Sequence, residues 1–149
     1  MLVDRGVSQY FFPMLVELSR FKVKQGKEAR VDEWLAMLNR RMAEAKQTLE
    51  REKMKLEVIF REKIGGDEYL TWFSVQDETG APVASSPFEV DKEHLMFHDE
   101  CIDHEYGRRD AQAQVVMVPD AVASALGWDN PAAASVPFQR KEIVYRRTR

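Results

Sequence analysis

Two alternating runs, "LEVIFREKI" (Leu56 to Ile64) and "EYLTWFSVQ" (Glu68 to Gln76), are separated by "GGD". A Gly-Gly step between such runs predicts a two-residue hairpin, because both central positions of that turn demand positive φ. With Gly65 and Gly66 in the loop, Arg61 faces Leu70, Ile59 faces Trp72, Val58 faces Phe73 and Glu57 faces Ser74. Alternation then divides the hairpin into two faces. One holds Leu56, Val58, Phe60, Tyr69, Phe73 and Val75, and its apolar character predicts that it lies under helices. The other holds Glu57, Ile59, Arg61, Leu70, Trp72 and Ser74.

The rest of the chain supplies the other layers. Val16 to Val23 reads as a strand closed by Gly26. From Lys27 to Glu52 the apolar residues Val31, Leu35, Leu38, Met42, Ala45 and Leu49 recur at threes and fours, which predicts one long amphipathic helix. A polar loop leads to Asp91, expected as the N-cap of a second helix ending near Asp103. "AQVVMV" before Pro119 reads as a last strand, "PDAVASALGW" as a short helix, and "DNPAAAS" as linker. The order β-α-β-β-α-β is the split arrangement of ferredoxin-like α+β folds, a four-stranded antiparallel sheet with two helices on one face. The bare face predicts a homodimer, a dimeric α/β barrel, formed through Ile59, Leu70 and Trp72. The domain is expected over residues 15–119, with extensions at 1–14 and 120–149.

Composition narrows the function. At 149 residues the chain is one domain's worth, and a net charge of −3 argues against general nucleic-acid binding. The apolar run Tyr10 to Val16 is too short to span a bilayer and no cleavage signal follows it, so no membrane partner is expected and the cytoplasm is the default. The single cysteine, Cys101, precludes an intramolecular disulfide. The basic C-terminal "QRKEIVYRRTR" reads as a solvated tail.

The segments "SRFKVKQGKEARVDEWL", "LEREKMKLEVIFREK", "EYLTWFSVQ" and "VDKEHLMFHDECID" resemble, in this order, a family of short bacterial proteins known only as a domain of unknown function. That family is similar to the dimeric α/β-barrel superfamily, which includes cofactor-independent oxygenases, isomerases, dehalogenating enzymes and haem-handling proteins. The resemblance runs from Val16 to Pro119 and implies the fold rather than a chemistry.

Two sets of residues carry the functional expectations. His94, His98 and Cys101 fall on one face of the second helix with ligand types suited to zinc. That face packs on the sheet, opposite Val58, Phe60 and Phe73, and no carboxylate orients the imidazoles, so a packed helix face is expected, with no metal and no cofactor. On the first strand, Phe21 and Val23 take the helix side and Arg20 the other. The barrel lumen is therefore expected to gather Arg20, Glu57, Arg61, Trp72 and Ser74. In the first reading it binds a small anionic or aromatic molecule: Arg20 and Arg61 hold an anionic group, Arg61 lies against the Trp72 indole, and Glu57 is the carboxylate for metal-free proton transfer. In the alternative, the domain is a homodimeric interaction module with a packed lumen and no ligand.

Overall fold

The computed structural model describes residues 14–77 and 81–127. The chain runs β1 (Met14–Lys22), α1 (Glu28–Arg40), α2 (Met42–Glu52), β2 (Met54–Ile64), β3 (Asp67–Asp77), a 3-10 turn (Val83–Ser85), α3 (Glu89–Cys101), β4 (Arg109–Ala111) and α4 (Asp120–Ala125). It is an α+β fold whose four strands form one antiparallel sheet in the order β2-β3-β1-β4. The basic C-terminal tail, the proposed linker and most of the N-terminal extension lie outside the described residues.

The hairpin forms in the register that the glycines impose. Ile64 pairs with Asp67, Arg61 with Leu70, Ile59 with Trp72 and Glu57 with Ser74, and the loop residues Gly65 and Gly66 have φ of 59° and 90°. The faces are the reverse of the expected ones. Leu70 is fully buried with Phe21, Val23, Val31, Trp34, Met37, Val90, Phe97, Cys101 and Ile102, so Ile59, Leu70 and Trp72 lie under the helices. They cannot form the dimer face. The opposite face carries Leu56, Val58, Phe60, Phe73 and Val75.

The reason for the reversal lies in β1. Phe21 pairs with Leu70 and Leu18 with Phe73, so the strand that fixes the helix side carries Leu70 with it and sends Phe73 outward. The outer face is apolar because something covers part of it: Val116, Val118 and Leu126 pack with Ala123 of α4 against Val16, Phe73 and Val75. "AQVVMV" is therefore not a strand. The fourth strand is the earlier Arg109–Ala111, paired with Leu18 to Arg20.

The long first helix bends at Arg41 (φ −99°, ψ 27°) into α1 and α2, while the ladder continues through Arg41 N–H to Met37 O and Ala45 N–H to Arg41 O. The Arg41 guanidinium grips Glu44 and reaches Glu93 of α3 at 2.6 Å, which ties the bend to the neighbouring helix. Helix α3 starts before the expected cap. Its N-cap position is Phe88, which has no side-chain acceptor, and Glu44 of α2 accepts the Val90 N–H at 3.1 Å instead. Asp91 is thereby left inside the first turn, buried. At the other end of α3, Cys101 is fully buried, its carbonyl accepts the Lys24 N–H, and Val23 bridges Ile102. Among the described residues no helix is long and apolar enough to cross a membrane.

Candidate functional site

Beneath the helices the sheet carries polar groups where an apolar layer would suffice. Asp91, His94, His98 and Cys101 form one stripe of α3, and Trp34 of α1 leans against it. The Trp34 indole N–H donates to His94 Nδ1 at 3.0 Å, so the neutral imidazole carries its own proton on Nε2. Trp72 stands below, with ring centroids 5.6 Å from Trp34, 6.1 Å from His94 and 6.4 Å from His98, and Phe21 meets His98 edge-on at 5.1 Å. Burial, with His98 nearby, holds His94 down at about 4. Burial also holds His98 at about 4, helped by His104 and opposed by Asp99. Both rings are neutral at pH 7. The residues facing this stripe are thus Phe21, Trp34 and Trp72, rather than Val58, Phe60 and Phe73.

A second group adjoins Trp72. Burial pushes the Glu57 carboxyl upward, with the Trp72 indole opposing and the charge of Asp91 adding to it. Glu52, the last residue of α2, is buried beside Thr48, and burial followed by Glu57 and Asp91 raises it to about 7. Asp91 is 6% exposed and its Oδ2 has no hydrogen-bond partner among the described residues. Ser74, also buried, pairs with Glu57 across the hairpin. This is a group of acidic and aromatic side chains in which Glu52 holds a proton up to about pH 7. Among the described residues, no group of three histidine, cysteine or carboxylate side chains could hold a metal ion.

A family model of unknown function, DUF6176, matches residues 14–124. The chain belongs to this family. No curated protein and no solved structure matches it.

In this DUF6176 chain the five residues expected in one lumen are divided between two faces. Glu57, Trp72 and Ser74 come together under the helices. Arg61 shares their side of the sheet, but it is fully engaged: Nη1 meets Asp32 at 2.5 Å, while Nε and Nη2 meet Glu68 at 2.9 and 2.6 Å. It clamps α1 to the hairpin and does not stack on Trp72. Arg20 lies on the outer face, bonded to Glu62 at 2.9 Å and 5.8 Å from the Tyr69 ring centroid, and its buried Nε has no partner, like Thr71 Oγ1 beside it. Sequence reasoning missed Glu52, Asp91 and Trp34. Glu52 closes an apolar helix stripe and Asp91 looks like a cap. Only Trp34, three residues after Val31 in the helical period, had a readable signal.

Proposed function

We propose that the DUF6176 chain binds a small molecule between its helices and sheet, and that Glu57 moves a proton on that molecule without a metal. The observation that carries this reading is the half-buried Glu57 carboxyl on the helix side of the sheet, on the same face as Trp72, whose ring lies 6.1 Å from the neutral His94 and 6.4 Å from the neutral His98. Burial raises this carboxyl above its ordinary range, and a perturbed carboxyl of this kind is a candidate for proton transfer. We further propose a homodimer of ferredoxin-like subunits, a dimeric α/β barrel, closed through the outer sheet face. The strand order, read from the other edge as β4-β1-β3-β2, supports the split βαβ arrangement. The exposed Leu56 (45%) and Phe60 (53%), with Ile64 and Leu18, support a second copy over that face, as do the unpaired Arg20 Nε and Thr71 Oγ1.

Native mass spectrometry of gently purified full-length protein tests both parts. A dimer that retains a small adduct, lost in Glu57→Gln with the dimer intact, is the expected result. A dimer without adduct in either protein favours the interaction module instead. That second reading has one observation of its own, an open groove of about 850 Å3 between α1 and α3 in which Met96 is 71% exposed.

A further inference from the structure

We propose that residues 113–118 of one copy add as a strand to the free edge of β2 in a second copy, main chain to main chain. Two such contacts, one from each copy, join the two sheets. This names the contact that seals the outer-face dimer proposed above and rests on that reading.

Both halves of the contact are on every chain. β2 stands at the end of the sheet, paired on one side with β3 and on the other with nothing among the described residues. Along its 11 residues, every second main-chain N–H and C=O therefore points out of the sheet. Such an edge is a template for another chain, and natural sheets blunt it with charge, bulges or a cover. The one irregularity of β2 lies at its start, between Met54 and Leu56. Beyond it, Leu56, Val58 and Phe60 succeed one another on the outer face with no charge between them.

Residues 113–118 are the complementary piece. They leave the sheet where β4 ends, and Val116 and Val118 pack on its outer face, whereas Val115 and Met117 are 72% and 87% exposed. That alternation is the habit of a strand. Yet none of their main-chain groups is hydrogen-bonded among the described residues. They lie on the face that also exposes Leu56, Phe60 and Ile64, so a copy that covers one covers the other. Burying Leu18, Leu56, Phe60, Ile64, Val115 and Met117 of both copies removes on the order of 1,200 Å2 from water, the lower end of what a stable dimer needs. A peptide from another protein would satisfy β2 and leave residues 113–118 open, whereas a second copy satisfies both. Main-chain pairing also fixes the register of the two copies, which an apolar face alone does not.

Hydrogen–deuterium exchange on the full-length chain, read by mass spectrometry above and below the dimerisation midpoint from sedimentation, tests the contact. The amides of residues 113–118 and of β2 should slow together in the dimer, by at least about tenfold. Successive residues of a strand point their N–H groups to opposite edges, so one of Gln114→Pro and Val115→Pro removes a donor from the contact. That variant should weaken the dimer at least about tenfold while the other leaves it intact, both with unchanged circular dichroism. A dimer in which these amides exchange as fast as in the monomer, or which neither proline weakens, overturns the added strand and leaves the outer-face dimer standing. Slow exchange at both concentrations alike means that the chain pairs these edges within itself, and also overturns it. A monomer at every concentration up to about 1 mM removes both the strand and the dimer.

Discussion

Trp34 serves the fold through its ring and its N–H separately. Trp34→Phe keeps most of the packing but leaves His94 Nδ1 buried without its donor, at an expected cost of about 1–3 kcal/mol in urea unfolding. The histidines also set a pH dependence. Unfolded, they take protons near 6.5, and folded they stay neutral to about 4, so their contribution is complete above 6.5 and falls as pH drops toward 4. Glu52 works in the opposite sense. It holds its proton to about 7, whereas the unfolded side chain has lost it above 4.5, so its contribution is full below 4.5 and gone by about 7. Glu52→Gln should therefore stabilise the protein at about pH 8, by about 1–2 kcal/mol after solvent screening, and leave it unchanged near pH 4. Unfolding curves at the two pH values check the sign.

At the scale of elements, α3 depends on a side chain from another helix. Glu44→Ala removes the acceptor for Val90 N–H and one arm of the Arg41 clamp, and should cost about 1–2 kcal/mol, with faster amide exchange in the first turn of α3. The hairpin offers a cleaner contrast. Gly65→Asn, at a φ of 59° that asparagine tolerates, should be nearly neutral, whereas Gly66→Ala at 90° should cost about 1 kcal/mol. The hairpin register was legible because two glycines permit one turn and the turn fixes every pair behind it. Its facing was not, because counting apolar residues ranks Leu56, Val58 and Phe60 above Glu57 and Arg61. Deciding the side needs the Phe21–Leu70 pairing, which joins segments far apart in the chain. The α3 cap was illegible for the same reason: its acceptor sits 46 residues upstream.

For the whole molecule, the reversal of the faces moves the expected interface. Phe60→Lys combined with Leu56→Lys should convert a dimer to monomer by sedimentation at micromolar concentration without altering the circular dichroism spectrum, since both side chains point away from the core. Trp72→Ala, by contrast, should unfold or badly destabilise the chain, by about 3–5 kcal/mol, because Trp72 packs against the core on the helix side. The candidate site was half legible. Glu57, Trp72 and Ser74 share one strand pair and were found together, but the acids that complete their surroundings arrive on two helices whose rotation only the tertiary packing sets.

The lone thiol of Cys101 has a use outside any of these roles. It is pinned where α3 meets the end of β1, and burial pushes its pKa upward, so a disulfide reagent in solution meets it only when that seam parts. With a single cysteine in the sequence, the labelling trace has one origin. The chain therefore carries its own clock: the rate at which it takes up label reads the free energy of opening that seam, in dilute buffer and without denaturant.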